Sequence, residues 1–219
     1  MQTMPIPLLI ITAIALIILL IAASRIKRGN PLAALAKKLG LALKEEHDHV
    51  LEHSLREFSL SGLGKVFPRL FYVLSGPGND VNLKIFDYNG STAALGMPHF
   101  LFQTMGFGEI AGKAFSHFLI APKSVYWRLR LLFSKDVFVK TGLPRKFLDS
   151  YVMVLKTGAP QPKLRQELFD KMLALKHPYS LEASGNRFIF YRRGIVIPLK
   201  RMEAFYKDLQ EVSDVLRLA

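Results

Sequence analysis

Cysteine is absent from the 219 residues, which excludes disulfides, thiolate metal sites and a cysteine nucleophile and fits a reducing compartment. Tryptophan occurs once, at position 127, and acids are scarce: 17 Asp and Glu stand against 30 Lys and Arg, for a net charge of +13. Such an excess draws a protein toward polyanions, of which lipid headgroups and nucleic acids are the general classes. No internal repeat and no low-complexity tract is present. Charge is itself missing from one long run, Met4 to Ala23, which is almost wholly apolar.

At about 1.5 Å per residue such a run crosses a hydrocarbon core of roughly 30 Å. The sequence therefore predicts one transmembrane helix, with Pro5, Leu8, Ile11, Leu16, Leu20 and Ala23 in the anchor. A secretory signal has its positive charge ahead of the apolar run, whereas here Arg25, Lys27 and Arg28 follow it, so an uncleaved anchor is expected. Ala22-Ala23-Ser24 is a weak cleavage-like tripeptide. The three cations read as topology determinants, placing Met1 outside and the remainder in the cytoplasm. The expected domains are an anchor with its basic collar over 1–30 and a cytoplasmic α+β domain over 31–219, in one body or two lobes.

Asn30-Pro31 reads as a helix start, with Leu32, Leu35, Ala36 and Leu39 at helical spacing and Gly40 as the stop. Leu41 to Leu43 suggests a short strand, and Glu45 to Glu57 is helix or irregular. Phe71 to Leu74 and Val81 to Tyr88 flank Ser75 to Asn79 as a hairpin, with Asn89-Gly90-Ser91 ending the second strand. Phe100 to Met105, Phe115 to Ile120, Asp136 to Lys140 and Tyr151 to Lys156 are further predicted strands, and Val125 to Phe133 a helix. Pro162 to Leu175 aligns Leu164, Leu168, Met172 and Leu175 on one helical face. Tyr179 to Ala183 and Phe188 to Arg192 form a hairpin around Ser184-Gly185-Asn186. Pro198 opens a last helix whose Met202, Phe205, Leu209, Val212 and Leu216 are three or four apart. That amphipathic helix is expected to cover one face of an antiparallel sheet, an α+β fold.

Several of these segments, namely Leu39-Gly40-Leu41, Ile85-Phe86-Asp87-Tyr88, Phe118 to Pro122, Pro144 and Phe147 leading into Tyr151-Val152-Met153, Ser180 to Ala183 and Phe188 to Tyr191, stand in one order behind an apolar N-terminus. In that order the chain resembles a group of uncharacterised bacterial single-pass membrane proteins carrying a domain of unknown function. The resemblance implies an anchored cytoplasmic α+β domain at a bacterial inner membrane. It implies no reaction and no catalytic residue, and Asp87, flanked by aromatics in a strand, reads as a hydrogen-bonded structural acid.

Chemistry-bearing patterns are thin. His47, Asp48, His49 and His53 have metal-ligand types, and on a helix His49 and His53 would share a face, but Val50 breaks the His-Glu-x-x-His order; a solvated charged segment is expected, without metal. Gly106 to Ala114 fails the phosphate-loop pattern, because Phe107 stands where a glycine is required and Ala114 where Ser or Thr would bind magnesium. No cofactor is expected, and the glycines at 106, 108 and 112 read as a flexible turn. Ala93 to Pro122 holds only Glu109 and Lys113 among charged residues, which suits buried sheet or a loop entering a leaflet. No nucleophile elbow, paired-carboxylate motif or ordered triad appears, so no catalytic residue is named.

Positive charge concentrates in residues 113–165, which hold +9 of the +13. Within them Lys123, Tyr126, Trp127, Arg128 and Arg130 are candidate lipid-docking residues, since aromatic rings settle at headgroup depth and guanidinium binds phosphate; Trp127 packed into a core is the competing reading. The expected function is a membrane-anchored, non-enzymatic binding or scaffold module whose basic region faces anionic lipid, with a protein partner unidentified. An enzyme on a membrane-proximal substrate and a tethered nucleic-acid binder are the alternatives.

Overall fold

Residues Phe118 to Ala121, Tyr151 to Leu155 and Phe188 to Tyr191 are continuous apolar runs, without the polar-out alternation of a half-solvated strand. The computed structural model accounts for them with a sheet covered on both faces. It describes residues 28–44, 48–60, 69–76, 80–94, 97–124, 127, 136–139 and 141–218, with backbone alone over 91–100. Residues 28–39 are helical (α1), followed by β1 (Ala42–Lys44), α2 (His49–Ser54) with a 3-10 turn (Leu55–Glu57), β2 (Arg69–Ser75), β3 (Val81–Ala94) and β4 (Met97–Ile110). The chain continues through β5 (Phe115–Pro122), β6 (Val137–Val139), α3 (Arg145–Ser150), β7 (Tyr151–Leu155), α4 (Gln166–Ala174), β8 (Ser180–Gly185), β9 (Arg187–Tyr191) and α5 (Leu199–Leu218). The nine strands form one sheet in the order β1-β2-β3-β4-β9-β8-β5-β7-β6, and each neighbouring pair is antiparallel.

Period-two alternation sorts the strand residues between two cores. Leu83, Ile85, Phe118, Ile120, Met153, Leu181, Phe188 and Phe190 face the helices, where Leu32 and Ala36 of α1, Leu168 and Met172 of α4, and Met202, Phe205, Leu209, Val212 and Leu216 of α5 bury against them. Phe86, Tyr88, Met105, Phe107, Ile189 and Tyr191 face the other way, under Leu51, Leu55 and Phe58. Leu119, Ala121 and Val154 continue that reverse face with Leu60 and Trp127. The last helix thus buries each residue its spacing selected.

The anchor is corrected. No helix among the described residues is long and apolar enough to cross a membrane, so a transmembrane element is not supported, and with it falls the single-pass description. The run Met4 to Ala23, with Pro5, Leu8, Ile11, Leu16, Leu20 and Ala23, lies outside the described residues, as do Arg25 and Lys27. The longest described element, α5, carries Lys200, Glu203, Lys207 and Glu211 on its outer face, which suits an amphipathic cover and not a span.

Other boundaries shift for local reasons. Residues 28–30 are already helical, so Asn30 is not the cap of α1. Asn89-Gly90-Ser91 does not end β3: pairing with β4 runs unbroken from Val81–Ile110 to Ala94–Met97. Gly106 and Gly108 lie inside β4, not in a turn, and are demanded by close approach. A Cβ on Gly106 would stand 2.7 Å from Leu209 of α5, and one on Gly108 would stand 2.1 Å from the Phe188 ring. Apart from Trp127, the predicted helix over Val125 to Phe133 lies outside the described residues.

Candidate functional site

Register alone assigns the ends of the sheet. Met105 pairs with Tyr191, Ser180 with Tyr191, Pro122 with Tyr151 and Arg69 with Asn89. The C-termini of β5 and β9 and the N-termini of β2, β7 and β8 therefore share one end. Beyond it β3 and β4 continue: from Gly90 to Ala94 and from Met97 to Gln103 they pair, among the described residues, only with each other. Five residues at about 3.3 Å each carry this two-stranded arm some 16 Å past its neighbours. Residues 90–102 contain no Asp, Glu, Lys or Arg. Pro98, which lacks an N–H, is accommodated because a two-stranded arm leaves one side of each strand unpaired.

The base of the arm is fixed by a part-buried polar network. Arg28, from α1, places Nε 2.8 Å from Asp87 Oδ2 and donates from Nη2 to Asp87 Oδ1 at 3.2 Å and to the Ile197 carbonyl at 2.8 Å. The Thr104 hydroxyl donates to Asp87 Oδ1 at 2.7 Å and accepts from the Ile197 N–H at 2.8 Å. Burial raises the Asp87 carboxyl above its usual range, and Arg28 and Thr104 offset only part of that cost. Asp87 is thus the structural acid its surroundings suggested. Arg28, expected to set topology in a collar, is instead folded into the domain, its side chain only 18 % exposed.

Tyr72 strengthens the same joint. A bulge between Phe71 and Leu74 puts it at φ +54°, a left-handed conformation that costs a non-glycine residue about 1–3 kcal/mol. Its ring edge lies 3.5 Å from where a Cβ of Gly29 would stand, and it borders a small crevice with Leu32, Asp87 and Met202. The strain is offset by seating α1 on the sheet beside the ion pair.

Around the arm the surface is apolar, then basic. Phe102 is 41 % exposed, and Ile195 and Val196, in the connector whose Ile195 carbonyl accepts from the Thr104 N–H at 3.0 Å, are 38 % and 37 % exposed. Arg69 at the start of β2, Lys123 after β5, Lys176 before β8, Arg192 after β9, and Lys200 and Arg201 in the first turn of α5 share this end, and all but half-buried Arg192 are exposed. Cations in a first turn oppose the helix dipole, and α5 has no acid there to offset them. The cluster registers on His177, whose imidazole pKa is lowered by desolvation first and then by Arg192, Arg201 and Lys176, with Asp208 opposing. Asp208 itself is held by Tyr179, whose phenol is pushed up to about 12, chiefly by burial.

Of the candidate docking residues, Lys123 is exposed at this end, its N–H donating to the Ser150 carbonyl at 2.9 Å. Trp127 is 4 % exposed, packed with Leu60, Leu119, Ala121 and Val154, so its indole belongs to the core and is not available at headgroup depth. Tyr126, Arg128 and Arg130 lie outside the described residues. The histidine segment is used locally: Asp48 caps α2 by accepting from the Leu51 N–H at 3.0 Å and pairs with Lys84 at 2.8 Å, and His49 pairs with Glu52 at 3.3 Å. His47 lies outside the described residues, among which no group of three metal-ligand residues forms.

Sequence reasoning misses a buried pair on the reverse face, His117 Nε2 and Glu182 Oε1 at 2.8 Å, with Glu182 also accepting from the Leu60 N–H at 2.9 Å. Glu182 is wholly buried and His117 nearly so, which makes them a tie between β5, β8 and the segment above. Its only trace in the sequence is two polar residues interrupting apolar strands. No family model, curated protein or solved structure matches the chain.

Proposed function

We propose that the protein is a non-enzymatic binding module that docks on an anionic lipid surface through the arm end of its sheet. The observation that carries this reading is the coincidence, at one end, of an uncharged two-stranded arm and a ring of cations drawn from β2, β5, β9 and α5. An apolar element entering the headgroup layer gains transfer free energy, and each cation near the surface adds about 1 kcal/mol. The anionic cytoplasmic leaflet has the matching composition. Ala93, Ala94, Met97 and Leu101 suit an acyl boundary, whereas Phe100 and Phe102 suit lipid and a stacked base alike. The reading stands without a membrane-spanning helix.

The test is sedimentation of the full chain with vesicles of phosphatidylserine and phosphatidylcholine against phosphatidylcholine alone. Wild type is expected on the anionic vesicles, more weakly as salt rises. The variant Phe102→Ser/Ile195→Ser, which keeps every charge, is expected to bind about tenfold more weakly, since it removes two apolar side chains worth about 1.4 kcal/mol together from the headgroup layer. Unchanged binding by that variant, or equal binding to neutral vesicles, would overturn the proposal.

A further inference from the structure

The connection from β9 to α5 sets an apolar stretch, Ile195-Val196-Ile197-Pro198-Leu199, between two pairs of cations, Arg192-Arg193 and Lys200-Arg201. A connection bathed in water ordinarily carries polar side chains. Here Gly194, Ile195 and Val196 form an exposed crest, while Ile197 is buried beneath it. Exposing β-branched apolar side chains has a transfer cost that contact with another apolar phase recovers.

Hydrogen bonds fix the shape of this loop. The Ile195 N–H donates to the Arg192 carbonyl at 3.1 Å, closing a turn whose third residue, Gly194, stands at φ +69°, where glycine is unstrained. Past the last β4–β9 pair, Met105 with Tyr191, the loop continues along β4. The Gly194 N–H donates to Gln103 Oε1 at 3.0 Å, the Thr104 N–H to the Ile195 carbonyl at 3.0 Å, and the Ile197 N–H to Thr104 Oγ1 at 2.8 Å. Thr104 therefore grips the loop on both sides of Val196, once through its N–H and once through its hydroxyl. That hydroxyl gives its own hydrogen to Asp87 Oδ1 at 2.7 Å, which leaves a lone pair free to accept from Ile197. Gly194 also lies against the arm, since a Cβ there would stand 3.7 Å from Leu101 Cδ1.

An apolar crest flanked by cations matches one kind of surface. At a lipid boundary aliphatic side chains sit below phosphates that the cations contact, whereas a soluble polyanion would meet the cations and leave Ile195 and Val196 in water. We propose that the Arg192–Arg201 loop is a second lipid-entering element, seated beside the arm at the acyl boundary of an anionic leaflet, and that Thr104 is its positioning residue. The inference rests on the lipid-docking reading and adds to it a separate element and the residue that aims it.

Because the chain has no cysteine, the full chain takes a single environment-sensitive fluorophore at Val196→Cys, an exposed position where the fold is not at stake. With vesicles of phosphatidylserine and phosphatidylcholine its emission is expected to shift to the blue and rise about twofold or more, as for a group leaving water, and to stay unchanged with phosphatidylcholine alone. The same label at Asp214→Cys, exposed toward the far end of α5, is expected to report no change. At vesicle concentrations that sediment all of the protein, Thr104→Val, which keeps the shape and removes the hydroxyl, is expected to lose most of the change at Val196, and Thr104→Ser to keep it. In the unaltered chain the Ile197 amide is expected to exchange slowly with solvent. Vesicle binding without a change at Val196 would overturn this inference and leave docking by the arm standing, whereas no binding of the unaltered chain would overturn both. A full change in Thr104→Val, or exchange at Ile197 as fast as in an unstructured peptide, would overturn the role of Thr104.

Discussion

The two ends of the sheet solve the same problem, closing a large antiparallel layer, with opposite electrostatics. At the arm end the ion pair is inside: Arg28 and Asp87 are 18 % and 14 % exposed and share hydrogen bonds with Thr104 and Ile197. The surface beyond them carries exposed cations around an apolar ribbon, with Asp208 opposing them at His177. At the opposite end the ion pairs are outside: Arg217 and Asp80 are 46 % and 74 % exposed, and Arg187 meets both Glu57 and Glu109. There, acids offset the nearby cations. Helix α5 spans both ends, about 30 Å for its 20 residues at 1.5 Å each, with Lys200 and Arg201 at one terminus and Asp214 near the other. Lys200 and Arg201 in the first turn oppose the helix dipole, whereas Arg217 in the last turn favours it.

The largest effect that would sharpen the contrast is on stability. Breaking an ion pair that is mostly buried leaves an unpaired charge, so Arg28→Ala is expected to cost about 3 kcal/mol by urea unfolding, whereas Arg217→Ala at the exposed pair is expected to cost less than about 1 kcal/mol. Since burial raises Asp87, the double variant Arg28→Met/Asp87→Leu should recover most of the loss; a double variant as unstable as the sum of the singles would show that the pair is not a unit.

Next in size is the strut that joins the ends. Gly106→Ala inserts a methyl 2.7 Å from Leu209, and overpacking of this kind costs about 1–3 kcal/mol. The expected signature is a lower melting temperature, with chemical-shift changes along α5 reaching both termini. Shifts confined to β4 would break the picture of α5 as a rigid connection.

A smaller effect is electrostatic. His177 is depressed by desolvation and by Arg192, Arg201 and Lys176, so anionic vesicles that neutralise those cations should raise its pKa in an NMR titration. Removing Arg192 by Arg192→Gln should raise it in the free protein too. The sign for stability follows: a histidine held below its unfolded value costs the fold as the pH falls through the unfolded value, near 6.5. His177→Gln should therefore lessen acid sensitivity slightly between about pH 7 and 5, and a steeper loss in the variant would contradict the cation cluster.

The parts of this architecture that were legible in the sequence are those fixed by local periodicity. Met202, Phe205, Leu209, Val212 and Leu216 lie at helical spacing and all are buried, and the β8–β9 hairpin turns at Gly185, where φ is +59°. The arm was hidden because Asn89-Gly90-Ser91 has turn chemistry, while the pairing that carries β3 through it comes from Phe100, Leu101 and Phe102 on another strand. Arg28 stands among basic neighbours and reads as part of a collar, since its partner Asp87 lies 59 residues away. Trp127 offered two readings that only the packing around Leu119 and Val154 could separate.

The central claim is that an oriented end, and not net charge, makes the contact with lipid. It is tested most directly by binding to anionic vesicles of two full-length variants with the same charge change, Arg192→Glu/Arg201→Glu at the arm end and Lys113→Glu/Lys156→Glu at the opposite end. At about 1 kcal/mol per basic residue near a surface, the first is expected to lose at least about tenfold in affinity and the second to lose little beyond long-range attraction. Equal losses in the two variants would contradict the account.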